Sequence, residues 1–179
     1  MFTSPRSSDT ILTMKDESKK AFGGQNPDEF YMQKALELAK KAVKKDEVPV
    51  GAVIVRNGKI IATGYNKRET KKRPDAHAEF LAIQKAARRL GGWRLTHCTL
   101  YVTLEPCPMC AGAVINARIP RVVFGAPDPK AGAFGSLYNL AEGKLNHTPE
   151  ITSGVLQSEC SQILSCYFKI KRTKKRPEA

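Results

Sequence analysis

Two short motifs carry side chains whose types and spacing can do metal chemistry. Ala76-His77-Ala78-Glu79 offers an imidazole and, two residues on, a carboxylate, and Pro106-Cys107-Pro108-Met109-Cys110 offers two thiols. Two thiolates and an imidazole make a ligand set for Zn2+, and three protein ligands leave the fourth tetrahedral position to water, as catalysis requires. A structural zinc would want a fourth protein ligand, and neither His97-Cys98 nor Cys160 and Cys166 forms a second close-spaced pair. His77, Cys107 and Cys110 are therefore the candidate zinc ligands. Glu79, on the same turn as His77, can accept and return the proton of an activated water without binding the metal. A lone Cys-x-x-Cys also suits a structural or redox pair, but a redox pair has no use for His77 and Glu79.

Both motifs must be held at the starts of helices. Pro108 suits the first position of a helix running to about Ala117, with Cys107 as its N-cap, where amide donors and the helix dipole favour thiolates. Asp75 can cap a helix with the stripe Ala76, Phe80, Ile83, Ala87, Leu90, ended by Gly91-Gly92. An earlier helix is predicted from Asp28 to about Lys45, after the Asn26-Pro27 start signal. Strands follow at Val50–Val55 and Ile60–Thr63, joined by the hairpin signal Asn57-Gly58. Further strands are predicted at Thr99–Thr103 and Arg121–Phe124. A loop from Gly125 to Gly135 leads to a weaker helical patch, a short strand near Ile151 and a last helix striped by Leu156, Cys160, Ile163, Tyr167 and Ile170. Helices alternating with strands, one pair of them antiparallel, predict an α/β fold on a mixed sheet.

The chain has 179 residues, 41% of them hydrophobic, which suits one globular domain. Its longest apolar segment, Val48–Val55, is far short of the roughly 20 residues of a spanning helix. Met1–Gly24 lacks the apolar stretch of a secretory signal, so a cytoplasmic location with no membrane partner is expected. Five cysteines without an export signal argue against a disulfide framework, and Cys98, Cys160 and Cys166 read as buried small hydrophobes. The net charge of +13 points to a polyanionic partner. It divides as +1 in residues 1–27, +7 in 28–168 and +5 in 169–179. Residues 1–27 are expected to be a disordered extension, 28–171 the globular domain and 172–179 a basic tail.

In this order the motifs form the H-x-E and P-C-x-x-C signature of zinc-dependent nucleobase deaminases. From about Asp28 to Lys171 the chain resembles the bacterial tRNA-specific adenosine deaminases of the cytidine/deoxycytidylate deaminase superfamily. The resembling stretches are Val48–Val53, Gly64-Tyr65-Asn66, Ala76–Glu79, Thr99–Ala113, Arg121–Gly125 and Gly135-Ser136-Leu137. The resemblance implies a three-layer cytidine-deaminase-like fold, with a mixed central sheet of about five strands and helices on both faces. It also implies a homodimer, one Zn2+ per subunit, and hydrolytic conversion of adenosine to inosine at the wobble position of a tRNA anticodon stem-loop. By the same resemblance His77, Cys107 and Cys110 bind zinc, Glu79 shuttles protons, and Asn66, Val48, Pro49, Ala78 and Asp128 contact the substrate. Read without it, Asn66 is a loop residue after a strand, Val48 and Pro49 are core packing, and Asp128 between Pro127 and Pro129 is a turn. Deamination of free cytosine, guanine or dCMP is the alternative reaction, which gains nothing from a strongly basic surface. A non-catalytic zinc protein on the same scaffold has no need of Glu79.

Overall fold

A computed structural model describes residues 24–174. Most of the expected N-terminal extension and the last five residues of the basic tail lie outside them. Asn26 and Pro27, assigned above to the extension, begin the fold: Asn26 accepts the Asp28 amide as N-cap, and Pro27 opens helix α1 (Pro27–Val43). Strands β1 (Gly51–Arg56) and β2 (Lys59–Tyr65) form a hairpin through Asn57 and Gly58, both at positive φ as a type I′ turn requires. A short helix, α2 (Arg68–Lys71), precedes α3 (Ala78–Leu90). Then come β3 (Cys98–Leu104), α4 (Pro108–Asn116), β4 (Arg121–Ala126), β5 (Glu150–Thr152) and α5 (Gln157–Lys174).

The five strands lie in the order β2-β1-β3-β4-β5. β1 is antiparallel to both β2 and β3, whereas β3, β4 and β5 are parallel, so the sheet is mixed. Strand periodicity divides the core between two faces. Ala52, Ile54, Leu100, Val102, Val122 and Phe124 face α3 and α4, while Val53, Val55, Tyr101 and Val123 face α1 and α5. The expected three layers follow directly from that alternation. Because β2, β3 and β4 run the same way, the loops after all three open at one end of the sheet, and so does the chain entering β1. The crevice beyond the carboxyl ends of strands is where open α/β sheets bind ligands.

Four further expectations need correction. The N-cap of α3 is His77 and not Asp75, which instead accepts hydrogen bonds from the Arg73 guanidinium. No helix forms between Gly135 and β5: Phe134 bridges to Asn139, and the amides of Phe134 and Ser136 are taken by Glu105. Cys166 is exposed, and Ile170, at the end of the last helix's apolar stripe, is 55% exposed. Beyond Ile163 the helix is held at one edge by polar contacts, Tyr167 and Lys171 reaching Asp46, which leave Cys166 and Ile170 uncovered. Finally, Arg172, Thr173 and Lys174, assigned to the tail, continue α5.

Candidate active site

The two helix starts face each other. His77 and Cys107 are N-caps of α3 and α4 with extended backbones, and neither side chain caps its own helix. Both are thereby free to turn toward one another. Cys110, one turn into α4, joins them, while Gly64 lets β2 approach the start of α3: a Cβ there would lie 2.1 Å from the Ala78 carbonyl oxygen. His77 Nδ1 is 3.6 Å from Cys107 Sγ and 3.7 Å from Cys110 Sγ. The three ligand atoms lie within 4.8 Å of one another. With Zn–S near 2.3 Å and Zn–N near 2.0–2.1 Å, a tetrahedral ion needs N···S edges of about 3.6 Å and an S···S edge of about 3.8 Å. The donor set fits zinc both in type and in spacing.

Protonation follows the same geometry. The hydrogen bond from Cys110 holds the Cys107 thiol down to about 4, against burial and with help from His77. The bond to Cys107 raises His77, and donation to Cys107 together with burial pushes Cys110 far up. Cys107 is thus the ready thiolate, and a metal must displace the Cys110 proton. Glu79, 4% exposed on the first turn of α3, is pushed up to about 7 by burial. A carboxyl group poised near neutrality beside a metal-type cluster can hold or release a proton at working pH.

Around this centre the structure places the other expected residues as follows. Asn66 is buried just after β2, its Nδ2 donating to Glu47 Oε2 at 3.3 Å. Since a carboxylate only accepts, this bond fixes the amide with its oxygen on the other side. Val48 is half-buried and Pro49 buried at the entry to β1, and Ala78 is fully buried. Asp128 begins the loop after β4, and its Oδ1 accepts the amides of Lys130 and Ala131 at 2.9 and 3.2 Å, a turn-forming role.

Two buried glutamates escaped sequence reasoning. Glu47 accepts the Glu69 and Thr70 amides at 3.2 and 2.6 Å, capping α2 while it orients Asn66. Glu105 gathers the loop after β4 through Asp128, Phe134 and Ser136. The available signal was a charge set against an apolar run: Glu47 abuts Val48–Val55, and Glu105 continues the buried β3.

The similarity to known proteins has the same extent as the fold. A family model for MafB19-like deaminases matches residues 26–172. The tRNA-specific adenosine deaminase of Bacillus subtilis (strain 168) is 57% identical over 150 residues, covering 83% of this chain and 93% of its own length. The chain belongs to the tRNA-specific adenosine deaminase family. A solved structure concerned with A-to-I editing by tRNA:A34 deaminases at the wobble position of transfer RNA matches with a TM-score of 0.74. It is 43% identical and covers 75% of this chain and 99% of its own. A guanine deaminase from Nitrosomonas europaea shares the fold at a TM-score of 0.66 and 27% identity, covering 78% of this chain and 83% of that one. The deaminase scaffold thus also serves a free base, and the tRNA-editing relatives are the more similar in both sequence and fold.

Proposed function

We propose that this deaminase converts adenosine to inosine at the wobble position of a tRNA anticodon, with release of ammonia. The juxtaposition of a buried carboxyl group, Glu79, with the His77, Cys107 and Cys110 donor set carries the reading, and the relatives select the substrate. His77, Cys107 and Cys110 would hold one Zn2+ per subunit. The chemistry that zinc supplies in such a three-ligand site is Lewis acidity, which makes water a nucleophile near neutral pH.

The chain's own residues do the rest. Glu79 takes the proton from the attacking water and delivers it to N1 of the base as the oxygen adds to C6. The same carboxyl group then takes the remaining proton from the added hydroxyl and passes it to the 6-amino group, which leaves as ammonia as the C6–N bond breaks, and C6 keeps the oxygen as a carbonyl. Asn66, held by Glu47, meets the base with an amide that both accepts and donates. Val48, Pro49 and Ala78 supply apolar walls, and Asp128 stands at the mouth. Only an unpaired, unstacked nucleotide can enter, which suits an anticodon loop.

The RNA would approach along a groove of about 1090 Å3 between α5 and Val48, lined by Tyr167, Phe168, Lys169, Lys171 and Arg172 among others. Cations beside the exposed Phe168 ring suit phosphates and stacked bases. Among the described residues no helix is long and apolar enough to cross a membrane, and the enzyme would work in the cytoplasm, where its substrate is. Exposed Met109 on α4 and Leu137 and Tyr138 after β4 are the apolar surface a homodimer would cover. Inosine formation in anticodon stem-loops, assayed beside free adenosine, guanine and cytosine, tests the reading. Turnover of the stem-loop that is lost in Glu79→Ala supports it; equal rates on a free base would replace it with the free-base reaction.

A further inference from the structure

The loop of residues 127–136 follows β4 and folds back around a single side chain. Glu105 Oε2 accepts the Asp128 amide at 3.0 Å and the Ser136 hydroxyl, while Oε1 accepts the Phe134 and Ser136 amides at 2.9 and 3.1 Å. Glu105 is 2% exposed, and all four of these bonds come from one loop. Gly132 packs onto the carboxylate so closely that a Cβ would lie 2.3 Å from Oε2. The neighbouring residue completes the staple, since the Pro106 carbonyl accepts the Ala133 amide at 2.9 Å. Cys107 comes next in the chain. The loop is therefore fastened to the segment that carries the thiol pair, at the sheet end where strand-end crevices bind ligands.

We propose that Glu105 is a positioning residue for substrate, its carboxylate fixing loop 127–136 beside the Cys107 turn so that the loop forms one wall of the nucleotide pocket. The inference rests on the tRNA-deaminase reading for the identity of that nucleotide. The carboxylate suits the task because it only accepts: two oxygens meet four converging donors and no donor of its own competes. A glutamine of the same shape would point an NH2 group at loop donors and release part of the loop. The groups that would hold metal and move protons sit at the starts of α3 and α4 and should keep their places, so the loss should fall on substrate binding.

Steady-state kinetics of zinc-loaded Glu105→Gln and Ser136→Ala on an anticodon stem-loop test the proposal, with amide hydrogen exchange and metal analysis on the same samples. The expected result for Glu105→Gln is a KM raised about tenfold or more with kcat within about threefold. The zinc content should match wild type, and exchange should be faster at Asp128, Phe134 and Ser136. Ser136→Ala, which removes one hydroxyl donor and no buried charge, should move KM in the same direction by less, and it keeps the test open should the first variant fold poorly. Unchanged exchange in the loop, or a loosened loop with unchanged KM, overturns the proposal. Wild-type enzyme that fails to deaminate the stem-loop overturns the functional reading instead, and hydrogen exchange still reports whether Glu105 anchors the loop.

Discussion

Glu79 and Glu105 are the same residue type, each about as buried as the other, in two neighbouring regions of one site, and their surroundings drive them to opposite states. Around Glu79 burial dominates and pushes its carboxyl group from 4.5 to about 7. Around Glu105 burial pushes the same way, but hydrogen bonds from Ser136, Asp128 and Phe134 outweigh it and hold the group below its ordinary value. The difference teaches that burial alone does not set a carboxylate's task. With burial outweighing its few hydrogen bonds, Glu79 is suited to carry a proton; with four donors outweighing burial, Glu105 is suited to anchor a loop.

The comparison can be broken most sharply at the His77, Cys107 and Cys110 donor set. Cys107→Ala removes the ready thiolate, and the expected outcome is loss of bound zinc, read by elemental analysis, with deamination reduced to background. Glu79→Gln should keep zinc yet lower kcat by about 10²–10⁴-fold, read in single-turnover inosine formation; a full rate would remove Glu79 from proton transfer.

Stability against pH sharpens the contrast in the metal-free protein. Folded Glu79 keeps its proton where the unfolded chain loses it, so wild type should lose stability as pH rises from 4.5 through about 7. Glu79→Gln should flatten that slope. Glu105 has the opposite sign: its contribution is present above the unfolded pKa and is lost as pH falls through the lower folded value. Glu105→Gln should therefore differ most from wild type near neutrality and least in acid, and thermal melts across pH read both trends. The smallest effect is expected from the basic residues at the end of the chain. Deleting residues 172–179 should weaken tRNA binding and lower the slope of log K against log salt by about 0.7 for each phosphate the tail neutralises, with zinc content unchanged.

Much of this was legible in the chain because it rests on local rules. Pro108 and Cys107 mark a helix start, Asn57-Gly58 a hairpin, and β-branched runs the strands, so the mixed α/β sheet and the His77, Cys107 and Cys110 set could be read along the sequence, whereas the three layers were implied by the family resemblance. The start of α3 was misplaced by two residues because Asp75 is the better cap by local preference, yet its carboxylate is drawn away by Arg73. No helix forms after Gly135 because longer-range partners win: the Leu140 amide, which a helix would pair with Ser136, goes to the Ala133 carbonyl, and the Leu137 and Tyr138 amides go to Gly132.

The sequence by itself determined which groups could meet a metal and a proton, since residue type and helix-start spacing decide that within a few residues. Only the tertiary structure decided what surrounds them: that Glu79 is cut off from solvent, that Glu47 turns Asn66, and that Glu105 is saturated by donors 23 to 31 positions further along the chain. Those partners are distant in sequence and become neighbours because parallel β3 and β4 bring their following loops to one end of the sheet, where the antiparallel β1–β2 hairpin also brings Glu47 and Asn66. Solvation and hydrogen bonding are properties of that assembled neighbourhood, which no short stretch of the chain contains.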